Sequence, residues 1–306
     1  MVNDLLSVFE KHLNDLDVSP LTTRGYLADL RHFARWFEQT NAEVLTVQRI
    51  TPTDVKEYKH FLLGVERRKA STINRRLASL SALTKWARRT GQIQSDPLEN
   101  IKGVASAERA PKWLDRHQQF KLMRTIENDV QLAKSRYPKR WLTRRRDASL
   151  VLFLLHTGLR LSEAVGLRVD DVHLSERKGS VLVRNGKGGK QRSVPLNVEA
   201  RKALQEWLSA GPRGEYLWTI VEGDKAEALS GRAVQRILQR YAKAAGIEDL
   251  TPHVCRHTFA KNLVDNQVGL EMVAALLGHS SLNTTRLYVT PSERDLEQAV
   301  ERLGVG

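Results

Sequence analysis

The sequence is poor in cysteine and has no long apolar run. Its single cysteine, Cys255, excludes an intramolecular disulfide framework. No segment approaches the roughly 20 consecutive apolar residues that span a bilayer, and the first residues, MVNDLLSVFEKH, lack the basic start and apolar core of a secretory signal. We therefore expect a soluble, cytoplasmic protein that is not held in a membrane. With 306 residues, the chain is long enough for about two domains of roughly 100–200 residues each.

Acidic residues are also scarce relative to basic ones. The chain has 35 Asp and Glu against 49 Lys and Arg, which gives a formal net charge of +14 and a pI of about 10.0. Residues 1–104 carry 16 basic and 12 acidic side chains, and residues 105–306 carry 33 and 23. A surface with this charge attracts polyanions, of which nucleic acid is the most common. Composition alone leaves open a basic protein without such a partner.

Helical periodicity dominates the first hundred residues. Ser19-Pro20 and Thr51-Pro52 each combine an N-cap residue with a proline at the first helical position. A further helix is predicted to begin near Ser71, and basic residues cluster around its start: Arg67, Arg68, Lys69, Arg75 and Arg76. Positive charge at a helix N-terminus opposes the helix dipole, and a phosphate ligand would remove this conflict. We interpret the cluster as a DNA-facing surface, with a solvated charged face as the alternative.

A stretch without helical or strand period, KGVASAERAPK, separates this region from the rest of the chain. It predicts a helical domain at 1–104, a linker at 105–112 and a second domain at 113–306. The fold class that we expect is mainly α with a small β-hairpin or sheet, in which an N-terminal helical domain precedes a mixed α/β domain.

The second domain is predicted to open with a helix at 115–130, followed by a basic segment at 131–146. Seven basic residues and no acidic one lie between Lys134 and Arg146, with two aromatic residues interleaved. We expect this segment to be a loop that contacts phosphates. Its candidate contacts are Arg144, Arg145 and Arg146. A flexible charged insertion is the alternative.

Further along the second domain, strand-like runs at 181–183 and 193–196 flank the turn NGKGGK, which predicts a β-hairpin. The remaining predicted helices lie near 198–209, 230–245, 251–265, 269–277, 281–288 and 292–303.

Polar side chains near the ends of these elements form a set suited to phosphoryl transfer. They are Arg160, Glu163, Lys187, His253, Arg256, His279 and Tyr288. Arginine binds phosphate oxygens bidentately, lysine can protonate a leaving oxygen, and histidine titrates near ~6.5. A phenol becomes a nucleophile when a base or nearby cations assist it. Together these groups fit phosphodiester transesterification without a metal, in which a covalent phosphotyrosine conserves the bond energy.

Each member of the set also has a structural explanation when taken alone. Arg160 and Glu163 fit an ordinary salt bridge, Lys187 fits a solvated glycine-rich turn, and Tyr288 fits core packing. The joint pattern favours chemistry over these separate explanations.

The sequence HVCRH raises the question of a metal site. His253 and His257 are four residues apart and share a helix face, but Cys255 between them projects off that face. No second Cys/His cluster completes a set of four ligands. We therefore predict no metal and no cofactor, and we interpret His257 as a buried hydrogen-bonding residue.

Four motifs of the second domain resemble those of the tyrosine recombinases, also called phage integrases, and are most like the Xer branch. The motifs are TGLRLSEAVGL, NGKGGKQRSVPL, TPHVCRHTFAKNL and LLGHSSLNTTRLYV, and their order and spacing agree with the family. Residues 1–104 also resemble the family's helical core-binding domain, so the resemblance covers nearly the whole chain. Two departures are present. Cys255 replaces a bulky apolar residue, where we expect looser packing, and the segment at 131–146 is longer than in compact Xer-like members.

The resemblance implies a C-shaped DNA clamp and a role for each residue of the set. It implies Tyr288 as nucleophile, Arg160 and Arg256 as phosphate clamps, Lys187 as general acid, His253 as acid/base, His279 as a hydrogen-bond donor to the phosphate and Glu163 as support for the arginine. It also implies a terminal helix at 292–303 that docks on the neighbouring protomer, although docking on the same chain stays open.

The implied activity is site-specific cleavage and rejoining of DNA strands through a 3′-phosphotyrosyl intermediate and a Holliday junction, for integration, excision or resolution. The expected assembly is a homotetramer on two DNA sites, with a monomer off DNA. The sequence identifies neither the target site nor any accessory protein or partner recombinase. The alternatives are a tyrosine transesterase of the topoisomerase or hairpin-resolvase type, a DNA-binding regulator without catalysis, and a metal-dependent nuclease.

Overall fold

The computed structural model is mainly helical and describes residues 2–16, 18–105, 111–184, 191–211, 214–221, 226–279, 282–288 and 300. Backbone contacts divide the chain into two compact units, Met1–Arg109 and Ala110–Gly306. The division falls inside the stretch taken as a linker from sequence, and the exact domain limits stay a prediction. None of the described helices is both long and apolar enough to cross a membrane. The helix predicted at 292–303 lies outside the described residues, apart from Val300.

Four helices build the first unit around an aromatic core. They are α1 (Val2–Asp15), α2 (Pro20–Asn41), α3 (Pro52–His60) and α4 (Ala70–Arg89), with a 3₁₀ turn at Val47–Arg49 and a π-helical turn at Phe61–Val65. Both predicted N-caps are present: the Ser19 side chain accepts from the backbone of Thr22, and Thr51 forms a capping box with Asp54. Tyr58 is fully buried at the centre, with its ring edge-on to that of Phe33.

The second unit combines eight helices with a small sheet in its described part. Its helices are α5 (Arg116–Arg136), α6 (Pro138–Thr157), α7 (Leu161–Val165), α8 (Val198–Ser209), α9 (Gly231–Ala245), α10 (Pro252–Asp265), α11 (Leu270–Leu277) and α12 (Asn283–Arg286), and its strands are β1 (Val172–Leu174), β2 (Gly179–Val183) and β3 (Arg192–Pro195). The sheet is antiparallel in the order β1-β2-β3, and Val181 pairs with Val172 on one side and Val194 on the other. The predicted hairpin is therefore part of a three-stranded sheet.

The prediction of a loop at 131–146 is wrong. Helix α5 continues to Arg136, and Pro138 takes the first turn of α6. The apolar face of α5 explains its length, because Leu122, Ile126, Val130 and Ala133 are all buried at helical spacing. The basic residues of this stretch therefore lie on two helices.

Helix α6 crosses the core of the second unit and leads directly into the segment that contains Arg160. Leu150, Val151, Phe153 and Leu154 are all fully buried, which fixes the helix on several sides. It ends at Gly158, a left-handed residue with φ of 61°. Arg160 lies only two residues after Gly158, so the packing of α6 in the core determines its position.

Candidate active site

The turn at Gly158 requires glycine. Its φ is positive, and a Cβ atom there would lie 2.4 Å from the ring of Phe259. The carbonyl oxygen of Gly158 accepts a hydrogen bond from Nη1 of Arg256 at 2.8 Å. This glycine therefore ends α6 and helps to orient an arginine on α10.

Arg160 begins the short helix α7 and pairs with Glu163 one turn later. Its Nη1 donates to Oε1 of Glu163 at 2.9 Å, its backbone N–H donates to Oε2 at 2.9 Å, and its Nη2 donates to the carbonyl of Gly278 at 2.9 Å. The side chain keeps 28% of its surface exposed. Arg160 is held in a fixed orientation but stays open to an anion.

Arg256 lies deeper, with only 5% of the residue exposed. Besides its bond to Gly158, its Nη2 donates to the carbonyl of Leu277 at 2.7 Å. Burial and the neighbouring charge of Arg160 lower the pKa of Arg256 to about 10. The guanidinium is still charged at neutral pH.

A third arginine, Arg192 on β3, completes the cluster and was not predicted from the sequence. Its Nη1 and Nη2 donate to the two oxygens of Glu163 at 2.9 and 2.8 Å, and its Nε donates to the carbonyl of Leu276 at 3.4 Å. A signal for it was present, since Arg192 alternates with Val194 and so shares its inward face. Glu163 therefore serves two arginines rather than one.

The end of α11 organises all three arginines. The consecutive carbonyls of Leu276, Leu277 and Gly278 accept from Arg192, Arg256 and Arg160. The carbonyl end of a helix carries partial negative charge and lacks intrahelical donors, so guanidinium groups satisfy it well. In the part of the chain that the structure describes, the ion pairs of these arginines all go to Glu163. One carboxylate among three guanidiniums leaves an excess of positive charge that fits a phosphate.

Tyr288 lies beside this cluster and is almost completely buried. Only 2% of the residue is exposed, and its ring packs with Ala260, Val273 and Leu277. Its hydroxyl shares a 2.7 Å hydrogen bond with Nδ1 of His257. Burial raises the pKa of the phenol, while Arg256 acts in the opposite direction.

His257 is half-buried and hydrogen-bonded, as its sequence context suggested, but its partner was not foreseen. The two rings lie 5.5 Å apart between centroids. Burial, followed by the charges of His253 and Arg256, lowers the pKa of His257 to about 4. Its imidazole is therefore neutral at neutral pH.

His279 follows the left-handed Gly278 at the end of α11. Its backbone N–H donates to the carbonyl of Ala274 at 3.0 Å, and its Nδ1 shares a 2.9 Å hydrogen bond with Oγ1 of Thr285. Burial, with Arg256 and Arg160, lowers its pKa to about 4. A Cβ at Gly278 would lie 2.9 Å from Cζ of Arg192, so a side chain at this position would displace the arginine.

Of the two remaining members of the predicted set, the structure describes His253 but not Lys187. His253 is exposed on the first turn of α10, and its ring stacks on that of His257 with centroids 6.3 Å apart. Lys187 lies outside the described residues, as does the whole turn 185–190.

Cys255 is fully buried, and burial raises the pKa of its thiol to about 12. Within the described ranges, no group of three or more metal-ligating side chains occurs.

Comparison with known proteins identifies the family. Residues 112–294 match the model of the phage integrase family, and residues 6–91 match that of the phage integrase N-terminal SAM-like domain. This protein belongs to the phage integrase family of tyrosine recombinases. The family, the fold class and the enzyme class expected from the sequence are thereby confirmed.

Similar proteins include several Xer recombinases. The chain is 32% identical to tyrosine recombinase XerC of Corynebacterium glutamicum over 98% of its own length and 92% of the relative, and 32% identical to tyrosine recombinase XerA of Thermococcus kodakarensis over 98% and 95%. Among solved structures, the fold is similar to XerH site-specific recombinase bound to palindromic difH substrate in a post-cleavage complex. That match has a TM-score of 0.75 and 24% identity, and it covers 98% of this chain and 84% of the other.

The basic residues predicted to face DNA in this recombinase have different surroundings. In the first unit, Arg67, Arg68, Lys69 and Arg75 are exposed. Arg76 is only 10% exposed, and its Nη1 donates to Oε2 of Glu66 at 3.1 Å. The four exposed residues keep the prediction open, whereas Arg76 contributes to the packing of the unit.

In the second unit, the prediction that Arg146 contacts DNA is wrong. The residue is 6% exposed, and its guanidinium donates to Asp147 and to the carbonyl of Thr219. All three guanidinium nitrogens of Arg146 donate to protein atoms, and the charge of Asp147 neutralises it. Arg144 and Arg145 are partly buried and ion-paired with Asp129 and Glu206, and for these two DNA contact stays a prediction.

Proposed function

We propose that this tyrosine recombinase cleaves and rejoins specific DNA sites with Tyr288 as its nucleophile. The observation that carries the proposal is the juxtaposition of the Tyr288 phenol with a cluster of three arginines, two of which pair with a single carboxylate. A phenol needs nearby cations and a proton acceptor to attack phosphorus. The arginine cluster supplies the cations, and the imidazoles around Tyr288 supply the proton acceptor.

Phosphate binding falls to Arg160 and Arg256 in this proposal. Protein carbonyls orient both guanidiniums before any substrate arrives, and Glu163 also holds Arg160, so little reorganisation is needed when charge develops on the nonbridging oxygens. His279 would donate a hydrogen bond to the same phosphate. Glu163 and Arg192 hold Arg160 in place.

Strand cleavage then forms one bond and breaks another. Tyr288 attacks the phosphorus, a 3′-phosphotyrosyl linkage forms, and the 5′ oxygen departs with a proton from Lys187. His253 exchanges protons with the reacting groups. A 5′ hydroxyl from a second duplex then attacks the phosphotyrosine and releases Tyr288. The first strand exchange forms a Holliday junction, and a second exchange of the other strands completes recombination. The linkage conserves the bond energy, so the scheme requires no nucleotide and no metal or other cofactor.

The proposed partner is double-stranded DNA that carries two target sites. The net charge of +14 supports a polyanionic partner. Similar folds occur in XerH bound to difH and in a lambda integrase dimer bound to a COC′ core site, the latter with a TM-score of 0.72 and 18% identity. We propose a homotetramer on two sites, a monomer off DNA, and a cytoplasmic, DNA-associated location.

Sequencing of DNA trapped covalently on the protein tests this function. Fragmented DNA is incubated with the wild type or with Tyr288→Phe, and adducts that survive boiling in detergent are recovered. The wild type should enrich one sequence with a defined cleavage position, and the variant should recover none. Two copies of that sequence on a supercoiled plasmid should then recombine.

The alternatives give different outcomes in the same assays. Relaxation of the plasmid without recombination would indicate a topoisomerase-like transesterase, and binding without adducts would indicate a regulator. Cleavage abolished by a chelator would indicate a metal-dependent nuclease. Each of these results contradicts the proposal.

A further inference from the structure

The hydrogen bond between His257 and Tyr288 suggests a role that the catalytic set does not include. The phenolic oxygen of Tyr288 is the atom that would attack phosphorus, and Nδ1 of His257 lies 2.7 Å from it. This distance lies within the range over which a general base removes a proton. Among the described residues, this contact is the closest approach that any imidazole makes to the nucleophile.

We propose that His257 is a further catalytic residue and accepts the proton of Tyr288 during strand cleavage. With its own proton on Nε2, the imidazole accepts the hydrogen bond from the phenol. As the bond between the Tyr288 oxygen and phosphorus forms and the bond from phosphorus to the 5′ oxygen breaks, the phenolic proton passes to Nδ1. Lys187 gives a separate proton to the 5′ oxygen. On religation, the imidazolium returns its proton to Tyr288, so the enzyme is regenerated.

The surroundings of His257 keep it in the form that can accept a proton. The charged and titratable groups around it are His253 and Arg256 on its own helix, Tyr288 after α12, and His279 after α11. Burial and the charges of His253 and Arg256 lower the pKa of His257 to about 4. The ring is therefore neutral across the pH range in which the enzyme would act. A bound phosphate near Arg256 would add negative charge and favour the imidazolium during the reaction.

The geometry also places this pair next to the proposed phosphate site. Arg256 precedes His257 directly on α10, and its charge acts on the Tyr288 phenol. A phosphate bound by Arg256 would therefore lie one residue along α10 from His257, the partner of the phenol.

The test separates a base from a group that only positions the phenol. Asparagine at 257 offers an amide near the position of Nδ1 and can keep a hydrogen bond to Tyr288, but it cannot take a proton. Alanine removes both functions. His156→Asn is the matched control, because His156 is a half-buried histidine of the same unit whose Nδ1 bonds instead to Asn197. Folding is checked by circular dichroism and by the affinity of the full chain for its DNA site.

The substrate is a 5′-bridging phosphorothiolate, whose sulfur leaves without a proton, so the rate reports on nucleophilic attack. Both His257→Asn and His257→Ala should cleave about 10²–10⁴-fold more slowly than the wild type in single turnover. The rate of each variant should rise with pH between 7 and 9, because only hydroxide then removes the phenolic proton. The wild type and His156→Asn should show a much weaker dependence. Added imidazole should partly restore His257→Ala.

Two results would overturn the inference. If His257→Asn cleaves as fast as the wild type, His257 only positions the phenol. If His257→Ala cleaves as fast as the wild type or faster, the hydrogen bond only holds Tyr288 in place before DNA binds. The inference rests on the proposed function, but the two fail differently. An adduct that persists in Tyr288→Phe defeats the proposed function, whereas a Tyr288 adduct that forms at full rate in His257→Asn defeats only the role of His257.

Discussion

Main-chain carbonyls orient the arginines of this site as much as acidic side chains do. Gly158, Leu276, Leu277 and Gly278 supply four acceptors, and Glu163 is the carboxylate among them. A carbonyl fixes the direction of a guanidinium without cancelling its charge. The result is a rigid site that keeps a net positive charge for the phosphate.

Arg192 is expected to control the charge of Glu163. Burial raises the pKa of Glu163, but hydrogen bonds from Arg192 and Arg160 outweigh it and hold the pKa below its usual value. Arg192→Ala removes two of those bonds, so the carboxyl should protonate at higher pH than in the wild type. The stability that the carboxylate contributes is present above the unfolded pKa and is lost as pH falls through the folded pKa. That loss should therefore begin at higher pH in the variant.

Thermal unfolding and single-turnover cleavage between pH 5 and 8 measure this effect. Arg192→Ala should lower stability by up to about 3 kcal/mol and should lose cleavage activity more steeply toward pH 5 than the wild type. Arg192→Lys should recover part of both. Arg145→Ala, which removes an arginine paired with Glu206 elsewhere in the unit, serves as the control. A pH profile of Arg192→Ala parallel to that of the wild type would contradict the argument.

Lys187, outside the described residues, can be tested as a general acid by changing the leaving group. Lys187→Ala should cleave ordinary DNA about 10²–10⁴-fold more slowly, but it should recover on a 5′-bridging phosphorothiolate because a thiolate leaves without a proton. Arg160→Ala and Arg256→Ala should recover much less, since the phosphate charge still needs to be held. If Lys187→Ala cleaves both substrates equally slowly, Lys187 is not the general acid. If it cleaves both as fast as the wild type, Lys187 is a solvated turn residue.

The sequence predicts the members of the candidate site better than their pairings. Arg160, Arg256, His279 and Tyr288 stand out because they lie near helix ends in spaced motifs. The bond between His257 and Tyr288 joins residues 31 positions apart, and the bond from Arg192 to Glu163 joins residues 29 apart. Such contacts depend on how α10, α12, α7 and β3 pack together, which local patterns do not encode.

At the scale of elements, end signals were the most reliable guide. The helices expected near 198–209, 230–245, 251–265 and 269–277 each agree with the structure to within about one residue at either end. Side-chain N-caps at Asn197, Ser230 and Thr251, and left-handed glycines at 246 and 278, explain the agreement. Strand β1, only three residues long, has no such signal.

Charge density misled the prediction at 131–146. A run of basic residues is typical of a solvated loop, but here acidic partners are available: Asp147 on α6 itself, Asp129 on α5 and Glu206 on α8. Tertiary structure thus turns several of these charges into ion pairs. Sequence alone cannot reveal this, because Glu206 is 61 residues away from Arg145.

Arg146 should therefore matter for stability. Arg146→Ala leaves the buried Asp147 with fewer partners, and breaking a buried pair in this way costs about 3–5 kcal/mol. Arg145→Ala affects a more exposed pair and should cost about 1 kcal/mol or less. Urea unfolding of the full chain measures both. Equal stability of Arg146→Ala and the wild type would show that the Arg146–Asp147 pair contributes nothing.

At the scale of the whole molecule, the excess of basic residues should make DNA binding strongly salt-dependent. Each phosphate that is neutralised adds about −0.9 to the log–log slope for duplex DNA. Replacing the exposed Arg67, Arg68 and Lys69 with alanine should therefore flatten the slope by up to about 2.7. Replacing Arg144 and Arg145 should flatten it less, because both are partly buried as well as ion-paired within the second unit. Titrations from 50 to 400 mM salt compare the two variants, and the reverse order would move the DNA contacts to the second unit.

The central claim, that Tyr288 is the nucleophile, is tested most directly by the covalent complex itself. Tyr288→Phe removes one oxygen and little packing, so fold and DNA affinity should persist. The wild type should form an adduct that survives boiling in detergent, and mass spectrometry of its peptides should place the nucleotide on Tyr288; the variant should form none. An adduct that persists in Tyr288→Phe, or that maps to another residue such as Tyr216 or Tyr241, would contradict the account.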